Sequence, residues 1–174
     1  MVMNNQRVVL VGASSTGKTT VAELLKLELK YYKFISESTR TVRSYGFPIN
    51  EEGTNATQLA ISSFHLEALL QDSNLLLDRG YLDLVVYSRF LDGIDKATMN
   101  YIEGTWDRVR RYYTKFIYFP IEFKSVDDGV RSINEEWRES IDKEFVKELE
   151  YNNIEYLTVT GSPKQRVEQI KKYI

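Results

Sequence analysis

Gly12-Ala13-Ser14-Ser15-Thr16-Gly17-Lys18-Thr19 fits the pattern G-x-x-x-x-G-K-[ST] without a gap. Before it runs Arg7-Val8-Val9-Leu10-Val11, a short apolar stretch that reads as a strand buried on both faces. After it, from Thr20 to Lys30, Val21, Leu24, Leu25 and Leu29 recur at helical spacing. Strand, glycine loop and helix are the context in which this pattern cradles phosphate. The residue types follow from the chemistry. A triphosphate needs many donors in a small concave space, and backbone N–H groups supply them where the chain curls tightly at Gly12 and Gly17. Ser15, Thr16 and Thr20 lie in or just after this curl and belong to the same nucleotide-binding set. The loop runs into a helix N-terminus, which favours an anion. Lys18 adds positive charge for the β- and γ-phosphates, and Thr19 offers a hydroxyl to Mg2+. ATP and Mg2+ are therefore the expected cofactors.

The totals set the frame. One domain is expected for 174 residues, enough to bury a core. A formal net charge of −2 gives no general electrostatic case for duplex DNA or an anionic membrane. The chain has no cysteine, which excludes disulfide and thiolate chemistry, and its single histidine leaves little for zinc. No apolar run reaches membrane-spanning length and no signal-peptide pattern opens the chain, so a cytoplasmic protein without a membrane partner is expected.

Further along, Lys33-Phe34-Ile35-Ser36 reads as a second strand, followed at once by Glu37-Ser38-Thr39-Arg40. Strand ends face the ligand crevice in open α/β sheets. Glu37 could orient or accept a hydroxyl proton there, and Arg40 could hold a phosphate or sugar. The competing reading is a helix capped by Ser36 or Ser38, with Glu37 and Arg40 solvated in its first turn. Tyr45 to Thr54 is a loop, marked by Gly46, Pro48 and Gly53. Asn55 to Asp72 reads as a helix with Leu59, Ile61, Phe64, Leu66, Leu69 and Leu70 on its apolar faces. Its His65 is expected to be a packed or surface residue, and its Gln58 an ordinary exposed one, with contact to an acceptor as the other reading.

Leu75-Leu76-Leu77-Asp78-Arg79-Gly80 is the second informative stretch. Three leucines read as a central strand with Asp78 at its end. A carboxylate there can hold Mg2+ through water or take the acceptor proton, and Arg79 can hold a substrate anion. Helices are expected over Tyr81–Leu91 and Asp95–Tyr113, the latter carrying solvated Arg108, Arg110 and Arg111. Lys115 to Phe119 reads as the fourth strand, ended by Pro120, and a polar loop follows over 121–131. Ser132-Ile133-Asn134-Glu135 matches a capping box at the head of a helix bearing Trp137, Ile141, Phe145 and Leu149. Arg131 in this loop would cover the triphosphate as part of a lid around 120–138. Glu155 to Val159 reads as the fifth strand. The Gly161-Ser162-Pro163 turn then starts the last helix, with Ser162 as cap and Pro163 in first position. It is expected to border the adenine.

Glu37-x-x-Arg40, Asp78-Arg79-Gly80, Asp128-Gly129-x-Arg131 and Gly161-Ser162-x-x-x-Arg166 follow the phosphate loop in that order. As a set they resemble the small AAA-type P-loop kinases related to the ribosylnicotinamide kinase domain of bifunctional NAD-salvage proteins, over nearly the whole chain. The Asp78-Arg79 pair is also similar to that of thymidylate-kinase-type enzymes. The resemblance implies an α/β P-loop NTPase fold in three layers, with a five-stranded parallel sheet in the order 2-3-1-4-5. It implies Lys18 and Thr19 on ATP and Mg2+, Glu37 and Arg40 at the acceptor, Asp78 as base or magnesium-side carboxylate, and Arg131 in the lid. Arg79-Gly80 stands where the bifunctional kinase carries a further acidic residue, and the adenylyltransferase domain is missing. Stand-alone relatives of this size include viral nucleotide kinases. A nucleoside or nucleotide is therefore the expected acceptor. A polynucleotide or modified base in DNA is the alternative, with Arg40, Arg79, Arg108 and Arg111 beside tyrosines as its groove. An ATPase or switch without an acceptor is the second alternative.

Overall fold

Val8 and Leu10 face one side of the sheet, and Val9 and Val11 the other. This two-sided burial is why the first strand is apolar at four positions running. In the computed structural model, which describes residues 5–124 and 134–174, that strand is β1 (Arg7–Val11) at the centre of a five-stranded sheet. Its partners are β2 (Lys33–Ile35), β3 (Leu75–Asp78), β4 (Lys115–Tyr118) and β5 (Tyr156–Thr158), in the order β2-β3-β1-β4-β5. All pairings are parallel, with Leu10 opposite Asp78 and Ile117. The expected sheet and order are found.

Parallel strands need crossovers, and the helices that supply them cover both faces. On one face α1 (Lys18–Glu28) and α7 (Pro163–Tyr173) bury Leu25, Val167 and Ile170 against Leu10, Leu76 and Ile117. On the other, α3 (Asn55–Leu69), α4 (Tyr81–Ser88), α5 (Lys96–Val109) and α6 (Glu135–Tyr151) build a larger core around Leu82, Trp106, Phe116 and Phe145. A short helix, α2 (Ser38–Ser44), follows β2 directly and packs on α3.

Several boundaries differ from the sequence reading. The helix expected over Asp95–Tyr113 ends at Val109 and tightens into a 3-10 turn over Arg110–Tyr112, which lets Tyr113 turn inward. Leu59 in α3 and Leu70 just past its end are exposed instead of apolar-face residues, whereas Gln58 is buried. α6 is capped by Asn134, whose Oδ1 accepts from the Trp137 N–H at 3.1 Å, and Ser132 of the expected capping box lies outside the described residues. In that register Glu135 pairs with Arg138 one turn on. Ser162 caps α7 with Pro163 in its first turn, as read. Residues 125–133 of the expected lid, Arg131 among them, lie outside the described residues.

Candidate active site

The phosphate loop lies between β1 and α1. Gly12 has φ +136°, and a Cβ there would stand 2.5 Å from the Phe119 carbonyl oxygen, so only glycine fits. Five successive carbonyls of the loop accept from buried cations. Lys18 Nζ donates to Gly12 O at 2.8 Å and Ala13 O at 2.5 Å. Arg138 donates to Ser14 O at 2.8 Å and Ser15 O at 3.2 Å. Arg166 donates to Thr16 O at 2.6 Å. Carbonyls drawn toward these cations leave the opposite, N–H side of the curl to face an anion, the geometry of a phosphate cradle. Burial brings the Lys18 ammonium down to about 7, with Arg79 acting the same way and Asp83, Asp78 and Glu37 opposing. An incoming triphosphate would add to the opposing side.

Thr19 and Asp78 meet where β3 ends. Thr19 Oγ1 donates to Asp78 Oδ2 at 2.7 Å. Asp78 Oδ1 is buried and has no hydrogen-bond partner. Burial, then Glu37, pushes the Asp78 carboxyl up. Two hard oxygen donors with one oxygen unsatisfied fit Mg2+, which keeps several waters and binds through few protein groups.

Beside the loop, Glu37, Arg79 and Asp83 form a buried cluster. Arg79 Nε donates to Glu37 Oε1 at 2.7 Å, and its Nη1 donates to Asp83 Oδ1 at 3.0 Å. The second Asp83 oxygen accepts from the Gly80 N–H at 3.1 Å. Burial lifts the Asp83 carboxyl to about 6 against the pull of Arg79 and Lys18. Burial also works against charge on Arg79, but Glu37, Tyr87 and Asp83 outweigh it and keep the guanidinium charged. Arg79 has φ +75°, a conformation that costs a non-glycine residue about 1 kcal/mol. The two carboxylates hold it there. A cavity opens against this cluster, lined by Glu37, Arg79, Asp83, Gln58, His65 and, from the phosphate loop, Ser14. Arg40 sits half-exposed, 3.8 Å from the other Glu37 oxygen.

A second cleft lies on the far side of the loop, lined by Ser15, Gly17, Thr20, Phe123, Gly161 and Arg166. Arg166 is buried between Phe119 and Phe123 and ion-paired with Glu122. The expected nucleotide-side residues Ser15, Gly17 and Thr20 therefore share one cleft with the Gly161 turn.

The sequence reading placed Glu37, Asp78 and Arg79 at the site, and the structure brings them together. Glu37 is buried, which removes the solvated first-turn reading, although it does stand at the N-terminus of α2. Arg108 and Arg111 line neither cleft. Asp83, Arg138 and Arg166 received no role from the sequence. Asp83 could have been found as an acid at the third position of a helix opening at Tyr81, bonding back to the preceding N–H. Arg138 lies on the same stripe as Ile141, Phe145 and Leu149, and Arg166 on that of Ile170. A charge on an apolar stripe marks a buried, partnered group.

Among known proteins, the family described as AAA domain matches residues 7–166. No curated protein matches the sequence. Solved structures share the fold at low identity. A NadR protein in complex with NR superposes with TM-score 0.80 at 17% identity over 97% of this chain and 51% of that one. The chain thus spans about half the length of that NadR protein. Deoxyadenosine kinase from M. mycoides gives 0.73 at 18% identity, covering 97% of both chains. Thymidylate kinase from Candida albicans gives 0.68 at 18% identity over 97% of this chain and 90% of that one. The fold is that of nucleoside and nucleotide kinases, and with a match over residues 7–166 the chain belongs to the AAA domain family, among its P-loop members.

Proposed function

We propose that the protein is an ATP-dependent kinase that moves the γ-phosphate to a nucleoside, a nucleotide or a similar small molecule. One observation carries the reading: the phosphate loop is the wall between two clefts, with Ser14 lining the cavity of buried carboxylates and Ser15 and Gly17 lining the other cleft. A donor in one cleft and an acceptor in the other would meet at Lys18. An ATPase or switch has no need of the second cavity.

In this reading the adenine end of ATP lies in the Gly161 cleft, near Phe123 and Arg166. Gly12, Ser15, Thr16, Gly17 and Thr20 wrap the phosphates. Lys18 turns from its loop carbonyls toward the β- and γ-phosphates and neutralises charge as the bond to the leaving oxygen lengthens. Thr19 Oγ1 and Asp78 would hold Mg2+, which would supply charge neutralisation for the phosphates. Glu37 lines the acceptor cavity and takes the hydroxyl proton. Arg79 fixes the Glu37 carboxylate, and Arg40 orients the acceptor. The lid role read for Arg131 falls on residues outside those described. Most of the rate comes from positioning and charge, because the protein forms no covalent bond with the phosphoryl group.

The test is label transfer from γ-labelled ATP in Mg2+ to a panel of nucleosides and nucleoside monophosphates. Label on a small acceptor is expected, and Lys18→Ala should lower the rate on the order of a thousandfold with an unchanged circular dichroism spectrum. A fully active Lys18→Ala protein would remove the reading.

A further inference from the structure

The charge of the acceptor cavity narrows the acceptor, taking the kinase reading as given. Glu37 and Asp83 both line the cavity and are both buried. Arg79 is the one cationic side chain among its described lining residues, and it donates to each of them, Nε to Glu37 and Nη1 to Asp83. One guanidinium against two carboxylates leaves the lining negative. His65 adds nothing at neutral pH, because burial, with Arg79, holds its imidazole down at about 4. Arg40, which is not among the lining residues, is itself paired with Glu37 at 3.8 Å. The rest of the wall is apolar, with Ile49, Ile61, Leu84 and Leu91 around the space.

A nucleoside monophosphate would bring up to two further negative charges to this wall. They would meet Glu37 and Asp83 in a region shielded from water, where like charges repel strongly and no described cation is uncommitted. A ring with a free sugar hydroxyl meets no such obstacle. Its flat face suits the apolar wall, and its hydroxyl is the group for which a buried carboxylate is useful.

We propose that the acceptor is a nucleoside that carries no phosphate, phosphorylated on a sugar hydroxyl. The hydroxyl oxygen forms a bond to the γ-phosphorus of ATP, and the bond from that phosphorus to the β,γ-bridging oxygen breaks. ADP leaves with the electron pair, and the hydroxyl proton passes to Glu37. The products are a nucleoside monophosphate and ADP, so the reaction that follows in sequence is a second phosphorylation by an enzyme that accepts monophosphates.

The experiment uses the full chain with γ-labelled ATP and Mg2+. Each common ribonucleoside and deoxyribonucleoside, and ribosylnicotinamide, is offered alongside its own 5′-monophosphate, and kcat/KM is measured for both members of each pair. At least one nucleoside should exceed its monophosphate by a factor of about a hundred or more, the scale of bringing a charge against an uncompensated buried carboxylate. Equal or better use of a monophosphate than of every nucleoside would overturn the inference while leaving the kinase reading intact. Phosphate release with no labelled acceptor in any tube would overturn the kinase reading and this inference with it.

Discussion

His65 shows how a single buried side chain writes a pH dependence into the fold. Its imidazole is buried at the cavity, 6.2 Å from the Tyr81 ring centroid, and burial together with Arg79 lowers its pKa from 6.5 to about 4. The unfolded chain therefore takes up a proton below about pH 6.5 that the native state refuses until about pH 4. Stability from this residue is complete above pH 6.5 and declines as pH falls through that window. Between pH 7 and 4.5 the loss is about 2.5 kcal/mol. Urea unfolding at both pH values should show the wild type losing about that much more than His65→Gln; equal losses would mean the imidazole titrates normally. A packed or surface histidine was legible here but its surroundings were not, because Glu37, Arg79 and Tyr81 come from the N-terminal end of α2, the end of β3 and the start of α4. Side chains from separate segments converge only after folding. The same reason hid Asp83, which received no role, and Gln58, whose exposure was misjudged.

At the level of elements, the strands were legible because each carries its own signal. Val8 to Val11 and Leu75 to Leu77 are continuous apolar runs, and only a strand with helices on both faces needs such a run. Caps were less legible where two cap-forming residues stand close. Ser132 with Glu135 satisfies the capping pattern, yet α6 starts after Asn134, a register in which Arg138 pairs with Glu135 and reaches Ser14, Ser15 and Phe123. Arg138 makes α6 the support of the phosphate loop. Arg138→Ala would leave three carbonyls without this donor and a hole in a fully buried place, at a cost of about 3 kcal/mol. Chemical denaturation should show that loss, and calorimetric titration should show weaker ATP binding. Arg138→Lys should restore little of either, because one ammonium cannot reproduce a planar fork of donors. Wild-type ATP affinity in Arg138→Ala would mean the loop holds its shape by its own sequence.

On the scale of the whole molecule, the sheet, its order and its two helical layers were within reach of the sequence once the loop and the later motifs were taken together. No described helix is long and apolar enough to cross a membrane. The nucleotide is expected to act on the entire fold. At a hundred times its dissociation constant a ligand that binds only the native state adds about 2.7 kcal/mol. For a chain of this size ATP with Mg2+ should then raise Tm by about 5–10 °C. The rise should shrink when a chelator removes the metal, and no rise at any ATP concentration would mean that the loop binds no nucleotide. The accounting of the loop carbonyls has one more consequence, in time. The loop ends at Thr19, but the arginines that hold three of its carbonyls stand far along the chain at 138 and 166. During synthesis the loop is therefore spelled well before the side chains that brace it. On the proposed function, a nascent chain that has passed its phosphate motif is expected to hold ATP firmly only once α6 and α7 have docked.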